Sequence, residues 1–304
     1  MKEQTAAKKR PRNKIKDPLY ERVMAWINII ILFLLSCTFI VPFLYVISMS
    51  FSTEEAIGLY GVTLFPKEWT LEAYEFIFSA GGNTILRAYG NTIIITVVGT
   101  ILTILVTAGF AYPLAKKALP FRKAILIYVL FSMLVGGGLI PSYIIISRVL
   151  GLRYNLLAVI LPGCYSSWNM ILMRNFFSAL PENLEEAALI DGANEIQVFF
   201  KFVLPLSKPI VATISLFAAV AYWNNWFGPL IYLDQAEQPT IMLFLKNVIS
   251  STVTSDSFVP GMATPPTQGV QMATVLACTV PIVCVYPFLQ KYFATGIMMG
   301  SIKG

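Results

Sequence analysis

Six apolar runs dominate the sequence, at about 25–48, 89–114, 124–146, 156–177, 210–231 and 270–289, each of twenty residues or more. A helix needs about 20 consecutive apolar residues to cross the hydrocarbon core of a bilayer. In lipid every backbone N–H and C=O has to be satisfied internally, and for isolated runs of this length the helix does that. The predicted fold class is therefore all-α: a polytopic membrane protein with six transmembrane helices. The first run has 24 residues without a charge and no A-x-A cleavage site, so it reads as a retained span rather than a secretion signal. Composition agrees, with 57% of residues hydrophobic and 12% charged; a soluble domain carries about twice that charged share.

Charge divides the chain into two sides. Six spans put both termini on one face, which collects the eight Lys and Arg residues of a basic tail, 1–22, and those at 116–123, 174–208 and beyond 290, seventeen in all. The other face has only Lys67, Arg87, Arg148, Arg153 and Lys246. The positive-inside bias predicts cytoplasmic termini, a cytoplasmic loop at 181–209 and extracellular segments at 49–88 and 232–267. Within 49–88, residues 70–78 read as a short helix along the membrane surface. Pro239, Pro260, Pro265 and Pro266 argue against regular structure in 232–267. Pro42 marks a kink site in the first run. Gly136, Gly137 and Gly138 followed by Pro141 predict a break in the third, either a packing kink or a cavity-lining element. The net charge of +6 sits largely in the tail beside the membrane, which argues against a nucleic-acid partner.

What the spans lack narrows the function. None carries an acidic residue at bilayer depth, and the chain has no histidine. Ion-coupled transporters and proton pumps generally need such groups there, so a secondary transporter is a distant alternative. No G-x-x-x-x-G-K-[ST] phosphate loop is present, which predicts that the chain itself hydrolyses no ATP and binds no cofactor. Cys37, Cys164, Cys278 and Cys284 all fall in apolar runs without metal-like spacing and read as small packing residues. No catalytic residue and no metal site is predicted.

The polar stretch 181–209 interrupts two apolar runs and reads as two short helices around a corner. Pro181 suits a first helical position. Glu182, Glu185 and Glu186 load the first turns with negative charge, which the helix dipole favours, and are expected to stay in water. Ala187 and Ala188 let another backbone approach closely. Gly192 stands where a left-handed residue ends the first helix, and Asn194 with Gln197 forms a capping box that starts the second. Ile196, Phe199, Phe200 and Val203 follow one helical face; Pro205 and Pro209 close it.

Glu186-Ala187-Ala188, then Gly192, then Leu204-Pro205, resembles the EAA loop of permease subunits in ATP-binding-cassette (ABC) importers, with Phe202 where that family usually has isoleucine. The likeness extends to GGGLIPSY, LPGCYSSWNMILMRNFF, YWNNWFGPLIYL and the C-terminal FATGIMMGSIKG. These segments are similar to the carbohydrate-uptake, maltose-type permeases, in particular the YtcP/LplC-like branch. The resemblance implies a type I ABC importer permease fold over 23–304, with a cytoplasmic EAA coupling helix, in a bacterial plasma membrane. It implies a second homologous permease subunit, two cytoplasmic ATP-binding subunits carrying ATP and Mg, and an extracellular sugar-binding protein met by the 232–267 loop. Glu182, Glu185, Glu186, Ala187, Ala188, Asp191, Gly192, Leu204 and Pro205 become the ATPase-coupling candidates, with Ser301, Ile302 and Lys303 as a C-terminal ATPase contact.

An oligosaccharide substrate needs aromatic faces for its C–H surfaces and amides for its hydroxyls. The fifth run offers Tyr222, Trp223, Asn224, Asn225 and Trp226, the fourth Trp168 and Asn169, and the third Gly137 and Tyr143. Adjacent asparagines in a span are costly unless they face protein or water. The tryptophans fit a pathway or an interfacial aromatic belt equally. A non-sugar solute such as glycerol phosphate is the alternative cargo for the same architecture.

Overall fold

The computed structural model describes residues 19–79, 82–251 and 267–298. Among these the chain is helical apart from connecting turns and one isolated antiparallel bridge, Ser52 to Trp69. The first helix, α1 (Leu19–Ser50), runs unbroken through Pro42, so the expected kink site interrupts nothing. It leaves Trp26, Phe33, Phe39 and Phe43 exposed and buries only Ser48, Met49 and Ser50 at its end. A helix apolar all round and left this exposed belongs in lipid. After it come α2 (Glu54–Tyr60), whose first turn is capped by the Thr53 hydroxyl, and α3 (Glu72–Ser79), a short helix at the place where one was expected, 70–78.

The second run is α4 (Gly82–Ala115). The third is α5 (Arg122–Leu134) and α6 (Leu139–Ile144), the latter extended by a π-turn, Ile145–Val149. The two arms meet at 106° across the glycine triplet, where Gly138 takes φ +83°. The fourth run is divided into α7 (Leu157–Gly163) and α8 (Ser167–Phe177). Pro162 lies inside α7, and the Ser166 hydroxyl restarts the chain by accepting from the Asn169 N–H at 3.4 Å. The polar corner is α9 (Glu182–Ile190) and α10 (Glu195–Val198), continued by a π-turn, Phe199–Val203, into α11 (Leu204–Leu206). The chain then forms α12 (Lys208–Trp223), α13 (Phe227–Tyr232), α14 (Ile241–Ser250) and α15 (Gln268–Met298).

Three of the described helices are long and apolar enough to cross a membrane: α1, α4 from Thr84, and α15 as far as Val285. Counting each bent pair as one span, α5 with α6 and residues 195–206 with α12, brings the number to five. The remaining expected span, the fourth at 156–177, consists of α7 and α8, of seven and eleven residues, with a break between them. The expectation of irregular structure in 232–267 is corrected by α14. Its Ile241, Leu243, Phe244 and Val248 are buried, and Pro239 merely precedes it. Pro260, Pro265 and Pro266 lie outside the described residues.

α12 packs along α4 and α15, α4 also meets α7 and α8, and α1 lies along α15. Three buried clusters stack along this assembly. At one end α3, α4, α14 and α15 enclose Ile77, Ile85, Phe244 and Ala273. In the middle Ile95, Ile160, Ala218 and Tyr222 join α4, α7 and α12. At the other end, Tyr112 and Leu114 of α4 gather Met170, Met173 and Phe177 of α8, Ile210 and Ile214 of α12, and the polar corner. The end of α4 is closed there by two guanidinium groups, since Arg122 and Arg174 each donate Nε–H to the Leu114 carbonyl, at 3.0 and 3.2 Å.

Candidate functional site

The corner is built by local backbone chemistry. Pro181 occupies the N-cap, one position before the first helical residue where it was expected, and Glu182 opens α9. The helix ends in a Schellman arrangement. The Gly192 N–H donates to the Leu189 carbonyl at 3.1 Å and the Ala193 N–H to the Ala188 carbonyl at 3.0 Å, with Gly192 at φ +88°. No atom lies within 4 Å of where a Gly192 Cβ would stand, so conformation rather than space calls for glycine here. Two residues later the capping box is complete. The Gln197 N–H donates to Asn194 Oδ1 at 2.8 Å and the Asn194 N–H to Gln197 Oε1 at 3.1 Å. Two helix ends within six residues therefore supply their own hydrogen bonds, and the turn between them is sharp.

The second arm differs from expectation in two ways. Pro205 does not close it: the helix continues to Leu206, and Pro209 opens α12. A proline lacks an N–H and its ring collides with the carbonyl four residues back; the widened π-turn just before Pro205 accommodates both. The apolar face is also redrawn. Val198 and Val203, five residues apart, are fully buried together because one π-turn separates them, whereas Ile196 and Phe200 are 70% and 52% exposed.

On the first arm, Ala188 is buried in the core at the end of α4, while Glu186, Ala187, Leu189 and Ile190 are exposed. The expectation that the glutamates stay in water is corrected for Glu185. It forms an ion pair with Lys116 of the α4–α5 turn and accepts from the Tyr112 hydroxyl at 3.3 Å. The corner thus has an inner face fused to α4, α8 and α12 and an outer face that ends at Ile190, 85% exposed. Asp191 is the C-cap residue of α9 and Leu204 and Pro205 form α11. Ser301, Ile302 and Lys303 lie outside the described residues, as does most of the basic tail.

The nine pathway candidates do not gather at one surface. Tyr222 is buried between two helices that present glycines to it. A Cβ on Gly99 or Gly163 would stand 2.6 or 2.7 Å from its ring. Its hydroxyl donates to the Ile160 carbonyl at 2.8 Å. Trp223 is buried too, with Nε1–H donating to the Cys278 carbonyl at 3.2 Å. Asn169 is buried at the start of α8. The asparagine pair sits at the break between α12 and α13 and satisfies backbone: Asn224 Nδ2 donates to the Val220 carbonyl, and Asn225 Oδ1 accepts from the Gly228 N–H. Tyr143 stacks on Tyr232 with ring centroids 5.8 Å apart. Trp168, Trp226, Asn224 and the Gly137 backbone remain exposed.

Sequence reasoning missed Tyr112, Lys116 and Glu195, which tie the corner to α4; the Tyr112 hydroxyl lies 3.2 Å from Glu195 Oε2. The signal present was a tyrosine and a lysine one helical turn apart at the end of an apolar run.

Residues 122–299 match the family described as binding-protein-dependent transport system inner membrane component. The chain is 43% identical to the protein LplC of Bacillus subtilis, covering 93% of this chain and 96% of that one. It is 37% identical to the polygalacturonan/rhamnogalacturonan transport system permease protein YtcP of the same organism, over 95% of this chain and 100% of that one. Among solved structures it resembles a bacterial ABC transporter involved in the import of the acidic polysaccharide alginate, with a TM-score of 0.78 and 28% identity. That match covers 91% of this chain and 98% of the matched one. The chain therefore belongs to the binding-protein-dependent transport system inner membrane components, the membrane-spanning permease subunits of ABC importers.

Proposed function

We propose that this permease carries oligosaccharides and that the α9–α10 corner couples it to a cytoplasmic ATPase. The observation that carries the coupling reading is the two-sided corner. Its inner residues Ala188, Val198 and Val203 share one core with α4, α8 and α12, and its outer residues Glu186, Ala187 and Ile190 face away from the chain. An exposed short helix seated in a groove on a partner transmits displacement when it is stiffly joined to the elements behind it. Glu182, Glu186, Ala187 and Ile190 meet the ATPase in this reading, and ATP with Mg is bound there and not by this chain. The remaining parts are a second permease subunit, a pair of ATP-binding subunits, an extracellular binding protein and, at the C-terminus, a further ATPase contact. Both termini and the corner lie in the cytoplasm, as the distribution of Lys and Arg argues.

The sugar reading is supported by the names of similar proteins: the polygalacturonan/rhamnogalacturonan permease, the alginate importer, and an arabinooligosaccharide permease, AraQ. Within this chain the residues proposed to face the solute are those left exposed at helix breaks, Trp168, Asn224 and Trp226, together with the glycine bend around Gly137. Tyr222 and Trp223 act behind them as packing. The test is uptake of labelled oligosaccharides by cells carrying the whole importer. Uptake should survive a protonophore, stop on ATP depletion and require the binding protein. Uptake that follows the proton gradient instead would overturn the assignment.

A further inference from the structure

Two carboxylates, one from each arm of the corner, converge on a single hydroxyl. Glu185 of α9 and Glu195 of α10 place Oε2 at 3.3 and 3.2 Å from Tyr112 Oη on α4. Lys116, four residues on and just past the end of α4, forms the ion pair with Glu185, and its Nζ lies 4.7 Å from the centre of the Tyr112 ring. Tyr112 is itself buried, at 9% exposure, edge-on to Phe177 of α8 and 5.0 Å from the Phe199 ring that follows α10. The Glu185 side chain is only 17% exposed.

We propose that Tyr112 and Lys116 are positioning residues that clamp both arms of the coupling corner to the end of α4, with Glu185 belonging to this internal brace and not to the ATPase-docking surface. The chemistry is a matter of counting. A tyrosine has one O–H, so it serves one carboxylate at a time. Two anions close to one oxygen repel unless a positive group answers the one the hydroxyl does not serve, and the Lys116 ammonium does. The arms are then held together through α4, and the corner moves with that helix as one piece. Lys117 and Arg122 line the adjoining cleft of about 420 Å³ together with Glu186, so the brace sits in a cationic setting. Without Lys116, Glu185 loses its ion-pair partner beside the Tyr112 hydroxyl that Glu195 also approaches, and the arms spread.

The proposal rests on the coupling role of the corner, and the test separates the two. The complete importer, with its partner permease, ATPase and binding protein, is reconstituted in liposomes, and solute moved per ATP hydrolysed is measured. Lys116→Met should lower that ratio about tenfold, because it leaves the largely buried Glu185 carboxylate without its ion-pair partner. Lys116→Glu combined with Glu185→Lys exchanges the two charges, remakes the ion pair between α9 and the end of α4, and should recover most of the loss. A generic loss of packing would not be repaired by a second substitution. A Lys116→Met ratio equal to the parent, or a double variant no better than the single, overturns the brace. Ile190→Asp, on the exposed outer face, reports on coupling itself. If it uncouples while Lys116→Met does not, the brace alone fails. If it leaves uptake at the parental level, the coupling role fails.

Discussion

At the residue scale, what could be read from the sequence depended on whether a side chain's task is local. Gly192 and the Asn194–Gln197 box were legible because helix ends make fixed demands within a few residues, and the sequence meets them in order. Tyr222 was not. It looked like a sugar-facing aromatic and is instead a spacer between α4, α7 and α12, received by notches at Gly99 and Gly163. In lipid both faces of a helix are apolar, so hydrophobic pattern does not reveal which face meets protein. Only the glycines opposite could have signalled it, and they come from other helices. Gly99→Ala should therefore force the Tyr222 ring to move, costing about 1–3 kcal/mol as other overpacked cores do. The check is thermal unfolding of the detergent-solubilised complex: a lowered midpoint is expected for Gly99→Ala. Gly109→Ala is the control, since nothing lies within 4 Å of its would-be Cβ.

At the element scale, long apolar runs announced α1, α4 and α15, and the glycine triplet announced the bend between α5 and α6. The division of 156–177 into α7 and α8 was less legible. Pro162 sits within the last turn of α7, and the break that follows is completed by the Ser166 cap, a common residue with weak weight in a window of apolar neighbours. α14 was overlooked because prolines around it dominated the reading, although Ile241, Phe244 and Val248 already lie on one helical face. The π-turn at Phe199–Val203 shifts the buried face in a way that a 3.6-residue period does not capture. The element on which the proposed coupling turns is the α9–α10 corner. Gly192→Val places a β-branched residue at φ +88°, a conformation that costs an L-residue roughly 1–2 kcal/mol. The arms should change their angle while the helices persist. In the reconstituted importer, ATP hydrolysis should continue while solute moved per ATP falls; unchanged coupling would mean that the angle is immaterial.

At the scale of the whole molecule, one end of the α4–α12 packing is tied to α14 and α15 and the other to the corner, with Tyr222 between. A push on the outer face of α9 therefore reaches α4, α8 and α12 through a continuous core, not through a flexible loop. In the proposed coupling role, that architecture gives a use to the polar, acidic interruption among the spans. The most direct measurement replaces Ile190, at the exposed tip of α9, with a photoreactive amino acid in the assembled importer and identifies what it captures with and without ATP. The expected product is a cross-link to the ATP-binding subunit in both states, changing in yield with nucleotide. Capture of lipid or of the permease subunits alone, in every nucleotide state, would contradict the coupling role.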